Sequence, residues 1–167
     1  DVPAKWKLNT CLVNYYGCKI EDGKKIDTAR VGDHKDFEPG PVASLSIGER
    51  ALIQFVASQK PGVSQGVAFQ QWLDDGSLQI FGGERLKKNL FHRVQRVDKR
   101  EGHTFPDLNT ENFETRRINF TFRYVPEEHI IAYKELPTRL AADVLPYMSE
   151  LAKHSEHFSK ALDSANA

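Results

Sequence analysis

No run of apolar residues in the chain approaches the length needed to cross a bilayer, and its opening, DVPAKWKLNT, has no signal-peptide core. Cysteine is nearly absent. Cys11 and Cys18 are the only thiols, too few for a disulfide framework, and no four-ligand zinc pattern can be assembled around them. These absences make an intracellular location, cytoplasmic or nuclear, the expectation. Net charge is also lacking: 23 Lys and Arg balance 23 Asp and Glu, so overall charge makes no case for a polyanionic partner. There is no internal repeat and no low-complexity linker. What remains is a chain of 167 residues, 40% hydrophobic and 28% charged, which suits one globular domain over residues 1–167, expected to be a monomer.

Short β-forming runs separated by turn residues fill the first three-quarters of the chain. LVNYY (12–16) is rich in β-branched and aromatic residues. VASLSI (42–47) stops at Gly48, and ALIQFV (51–56) follows almost at once, as the second strand of a hairpin would. VAFQQWL (67–73), SLQIF (77–81) after Asp75-Gly76, LFHRVQRV (90–97) and RRINFTFRYV (116–125) complete the set. Such spacing favours a barrel or sandwich over a parallel α/β sheet. The core should span about residues 12–125 and a helical tail about 138–163. In the tail, Thr138 is placed to cap a short helix through Leu145, and Pro146 should interrupt it. Beyond it, Met148, Leu151, Ala152, Phe158 and Leu162 recur at helical spacing. That stripe reads most simply as a helix laid against the sheet, with a dimer contact or a lid as alternatives.

Several residues are of types that carry chemistry. His34 and Asp36 are two apart, so in an extended segment both side chains project the same way. With a second imidazole they would make the two-His, one-carboxylate set that suits non-haem Fe(II) and O₂. His92 is the best-placed candidate, since it interrupts an apolar strand pattern. The alternative is a core histidine bonded to backbone. On the strand 117–123, period-2 geometry gathers Arg117, Asn119, Thr121 and Arg123 on one face and Ile118, Phe120 and Phe122 on the other. If the polar face points inward, two guanidiniums need anionic partners, and a dicarboxylate could meet both. If it lies on an edge strand, water suffices. Asn14 and Tyr16 share a face in the same way. Between Glu84 and Glu101, seven basic residues (Arg85, Lys87, Lys88, Arg93, Arg96, Lys99, Arg100) stand against three acidic ones. Such a patch can steer a phosphate backbone or simply be a solvated surface.

Taken in order, Asn14-x-Tyr16, His34-Lys-Asp36-x-Glu38, SLSIG (44–48), Phe81-Gly82-Gly83, Leu90-Phe91-His92 and Arg117-Ile-Asn119-Phe-Thr-Phe-Arg123 resemble the AlkB-like family of 2-oxoglutarate oxygenases over about 110 residues. The resemblance implies a mainly β fold, a double-stranded β-helix (jelly roll) with flanking helices. Fe(II), 2-oxoglutarate and O₂ would react between its sheets. It implies His34, Asp36 and His92 as iron ligands, and Arg117, assisted by Asn119 and Tyr16, at the distal carboxylate of 2-oxoglutarate. Arg123 and Asn14 would lie near the carboxylate beside the ketone. Glu38 would lie near a substrate base, although it could equally be a solvated carboxylate beside Pro39. Phe81 stands where the bacterial relative has Trp. Members that repair nucleic acid carry a substantial region before the Asn-x-Tyr strand that grips the nucleotide. Only 13 residues precede Asn14 here, so that lid is expected to be missing, supplied otherwise, or cut away upstream of this sequence.

The activity this implies is oxidative demethylation of alkylated bases in DNA or RNA, single-stranded or locally unpaired. Arg85, Lys87 and Lys88 are the expected backbone contacts, and Glu38 and Phe81 the expected contacts nearer the base. An oxygenase of the same fold acting on a protein side chain or a small metabolite is the alternative. A non-catalytic jelly-roll binding module is a second alternative. It predicts loss of a metal ligand or of the arginines, and none is lost.

Overall fold

The computed structural model describes residue 2 and residues 4–57, 66–95 and 101–166. Its internal packing divides the chain into two compact units, Asp1–Val125 and Pro126–Ala167.

The first unit is two antiparallel sheets. One has the strand order β2 (Lys24–Asp27), β1 (Thr10–Glu21), β9 (Phe113–Arg123), β4 (Val42–Gly48), β7 (Ser77–Phe81). The other runs β3 (Val31–His34), β8 (Phe91–Gln95), β5 (Ala51–Val56), β6 (Val67–Leu73). Buried side chains from both pack together: Val42 and Phe81 from the first sheet against Ile53, Phe55 and Leu73 from the second. Phe55 is wholly buried, its ring set edge-on to Phe81 at 5.3 Å. This is a double-stranded β-helix, the jelly roll implied by the resemblance.

Several elements depart from the sequence reading. β4 and β5 do not form a hairpin. Gly48, at φ 96°, ends β4 at a corner where the chain crosses to the opposite sheet. A Cβ there would meet the Arg116 carbonyl oxygen at 2.5 Å, so glycine is required by space as well as by φ. Proximity in sequence cannot distinguish a hairpin from such a corner. β2 and β3 are short and carry several charged residues, so they give little period-2 signal. Yet Asp22 and Gly23 both have positive φ, the type I′ geometry that Asp-Gly favours, and they join β1 to β2.

In the second unit, α1 (Thr138–Ala152) continues through Pro146, and α2 (Glu156–Asn166) packs against it. Pro146 was expected to end the first helix. Its missing N–H and ring clash ordinarily cost about 3 kcal/mol, but the helix absorbs the residue. Thr138 is the first helical residue rather than the cap, and Pro137 occupies the cap position. Met148 is buried, while Leu151, expected in the same stripe, is exposed.

β1 and β9 pair from Thr10↔Arg123 to Lys19↔Phe113, with a bulge between Tyr16 and Gly17. A Cβ on Gly17 would lie 1.8 Å from the Glu114 carbonyl oxygen, so the bulge needs a residue without one. Gly17→Ala is expected to lower the urea midpoint by the equivalent of about 1–3 kcal/mol. An unchanged midpoint would show that the strands part at no cost.

Candidate metal centre

The site forms where the two sheets face each other, in a cavity of about 260 Å³. His34 ends β3 directly opposite His92 on β8, and their rings lie 4.1 Å apart. Asp36 follows two residues later. One ligand atom from each of the three lies within 4.8 Å of the others. The His34 Nδ1 is 2.8 Å from the Gly32 carbonyl, and donating there leaves Nε2 with its lone pair free. His92 Nε2 lies 3.3 Å from Asp36 Oδ2. Phe81 packs edge-on against His92 at 5.1 Å, which fixes the plane of the imidazole.

Electrostatics prepare the three groups to act as ligands. Burial first, and then the neighbouring His34, push the His92 imidazole down to about 4, against the pull of Asp36. His92 is therefore neutral near pH 7, the form that binds metal. Asp36 Oδ1 accepts from Arg123 Nε at 2.9 Å, while buried Oδ2 has no hydrogen-bond partner among the described residues. An orphaned carboxylate oxygen beside two imidazoles fits a divalent cation, and the donor set is the one suited to Fe(II) oxygen chemistry.

Across the cavity, β9 presents Arg117, Asn119, Thr121 and Arg123, and β1 presents Asn14 and Tyr16. The polar faces expected on both strands thus point inward. Arg117 is 4% exposed and, among the described residues, has no carboxylate within ion-pair distance. Its Nη2 donates to Ser46 Oγ and Asn119 Oδ1, each at 2.8 Å, and its Nε has no hydrogen-bond partner among the described residues. The guanidinium sits 4.8 Å from the centre of the Tyr16 ring. Burial raises the pKa of the Tyr16 phenol, and Arg117 partly offsets it. Ser44 Oγ also donates to Asn119 Oδ1, at 2.9 Å, and Asn119 Nδ2 donates to Thr121 Oγ1 at 2.7 Å. Ser44 and Ser46 were not singled out from sequence. The signal available was their period-2 placement in SLSIG, alternating with Leu45.

The residues expected at the substrate separate. Glu38 lies beside the site, 3.6 Å from Arg123. Phe81 is buried in the core and lines the cavity. Arg85 and Lys88 are exposed, and Lys88 is 3.6 Å from Glu84. Lys87, expected on a phosphate-facing loop, is instead buried, and its ammonium donates to the Glu38 and Gly40 carbonyl oxygens. Arg93 is bonded to Gln54 and Asp33. Arg96, Lys99 and Arg100 lie outside the described residues.

A two-His, one-carboxylate site inside a double-stranded β-helix defines a mononuclear non-haem iron oxygenase. Residues 1–123 match the family described as the 2OG-Fe(II) oxygenase superfamily, and the chain belongs to that superfamily, in its AlkB-like branch. No curated protein matches the chain significantly. The protein is therefore an enzyme whose cofactor chemistry is that of Fe(II) and 2-oxoglutarate.

Two outcomes check the site. Removing a direct ligand should weaken Mn(II) or Fe(II) binding by more than the roughly 10- to 100-fold typical of losing an outer partner. Calorimetric titration of His92→Ala at parental affinity would take His92 out of the site. The second outcome concerns the metal-free protein. Its folded His92 titrates at about 4, below the ordinary 6.5, so between these values the unfolded chain binds a proton that the folded chain refuses. The stability held by neutral His92 is complete above about pH 6.5 and drains away as the pH falls towards about 4. Urea midpoints should decline across that interval and decline less in His92→Gln. Equal slopes would assign the acid sensitivity elsewhere.

Proposed function

We propose that this oxygenase removes methyl groups from alkylated bases in DNA or RNA, with 2-oxoglutarate seated on Arg117. The observation that carries the co-substrate assignment is the buried Arg117 guanidinium, which has no carboxylate partner among the described residues and faces the cavity that holds the metal ligands. A buried cation without a counter-ion is costly, and a dicarboxylate entering the cavity supplies one through paired hydrogen bonds.

His34, Asp36 and His92 would hold the metal at the wall of the cavity. Ser46 and Asn119 fix the Arg117 fork, whose remaining N–H groups would bind the distal carboxylate. Tyr16 covers the guanidinium and excludes water. Asn14 and Arg123 line the same cavity, at the end reserved for the carboxylate beside the ketone, while Arg123 also anchors Asp36. When bound, iron, 2-oxoglutarate and O₂ supply the oxidation: the keto acid becomes succinate and CO₂, one oxygen atom enters the substrate C–H bond, and a hydroxylated N-methyl group departs as formaldehyde.

A nucleobase is supported by the resemblance to AlkB-like oxygenases, by Glu38 beside the metal carboxylate, and by exposed Arg85 and Lys88 on the segment after β7. Those basic residues suit backbone contact that positions a strand without reading its sequence. A single-stranded or unpaired target fits best, because the reacting carbon must reach a metal within the barrel. The test is a panel of methylated DNA and RNA oligonucleotides at low ionic strength, following succinate and formaldehyde together. Demethylation is expected. Hydroxylation of a peptide or small metabolite with no oligonucleotide turned over would replace this reading.

Arg117→Lys keeps the charge but loses the fork. The KM for 2-oxoglutarate should rise roughly 10- to 100-fold while metal affinity stays at the parental value. An unchanged KM would move the co-substrate off Arg117.

A further inference from the structure

Phe37 directly follows the metal ligand Asp36 and is 94% exposed, more than any other large apolar side chain among the described residues. Its backbone is held on both sides. Asp36, before it, is buried and bonded to Arg123. Glu38 and Gly40, after it, receive the buried Lys87 ammonium on their carbonyl oxygens. Pro39 and Pro41 stiffen the same segment. The ring is thus displayed to solvent by a fixed loop. It lines a groove of about 560 Å³ that also takes in Asp36, so the groove reaches the metal centre. The other walls mix apolar Val2, Pro39 and Pro41 with the charged side chains of Glu38, Glu84 and Lys88. A planar ring with apolar faces and polar edges matches that mixture, since it would find a π-face and hydrogen-bonding groups together.

We propose that Phe37 is a substrate-binding residue that stacks on a base of a single-stranded nucleic acid and so sets the strand over the metal centre. The inference rests on the nucleobase reading for the identity of the ring, and its test reads binding rather than turnover. A preformed platform costs little ordering on binding, and stacking tolerates any base.

The probe is a short fluorescein-labelled single-stranded oligonucleotide carrying one N-methyladenine, in DNA and RNA forms, with an abasic counterpart. Binding is measured by anisotropy on the full chain loaded with Mn(II) and 2-oxoglutarate under anaerobic conditions. Phe37→Ala should weaken binding roughly 5- to 100-fold, the range for loss of one base–aromatic stack. Phe37→Trp should retain affinity and gain indole quenching absent from the parent, whose Trp6 and Trp72 provide the baseline. The abasic oligonucleotide should bind the parent and Phe37→Ala alike, since the stack is missing in both. Unchanged affinity in Phe37→Ala, absence of new quenching, or failure of any oligonucleotide to bind overturns the proposal. Binding that is weakened in Phe37→Ala and quenches the indole of Phe37→Trp, from a parent that demethylates no oligonucleotide, would uphold Phe37 while rejecting nucleobase demethylation. A parent that demethylates oligonucleotides with no loss in Phe37→Ala would do the reverse.

Discussion

Antiparallel pairing of β3 with β8 is the constraint on which the metal centre depends, because it sets His34 opposite His92 with their rings in contact. Side chains alternate faces along a strand, so a slip of one residue would turn one imidazole out of the barrel. The register is defended by β8's other neighbour: β5 pairs Phe55 with His92, and wholly buried Phe55 and edge-on Phe81 leave no room for another alignment. Hydrophobic packing therefore does the geometric work for the ligands, and the metal need not gather them from a loose state.

Charge in the cavity is arranged around a deficit of anions. Arg117 and Arg123 both point inward, yet Asp36 is the sole carboxylate among the cavity-lining residues, and Arg123 takes one of its oxygens. The remaining oxygen faces the imidazoles. Arg117 is left with neutral partners, Ser46, Asn119 and the face of Tyr16. Neutral hydrogen bonds hold a guanidinium in place without satisfying its charge. On the proposed reading, the interior suits two visitors of opposite sign, a cation at one end and a dianion at the other.

The strands that β-branched and aromatic residues mark strongly, β5, β6 and β7, have the limits expected from sequence. The polar stripe of β9 was legible for the same reason: alternation puts Arg117, Asn119, Thr121 and Arg123 on one face whatever that face meets. Which face turned inward was not legible, because it depends on the sheet opposite. β2 and β3 were missed since short charged strands look like loop. Lys87 was misplaced for a different reason. Lysine in a basic run reads as solvated, and only the fold brings the Glu38 and Gly40 carbonyls to its ammonium. Proline 146 shows the limit of local rules, since a helix already supported by packing outlasts one lost hydrogen bond.

The pairing of β1 with β9 has a consequence for the order in which the protein is made. These strands lie at opposite ends of the barrel-forming sequence, and Asn14 meets Asn119 across the join. On the ribosome, Asn14 and Tyr16 must wait until the last strand emerges before they gain a neighbour. The seam therefore closes late, against the entropy of a very long loop. Until then the nascent first strand presents unpaired backbone on both flanks apart from its short hairpin with β2. That hairpin, nucleated by Asp22-Gly23, gives the waiting strand one protected edge and lowers its exposure to wrong partners during synthesis.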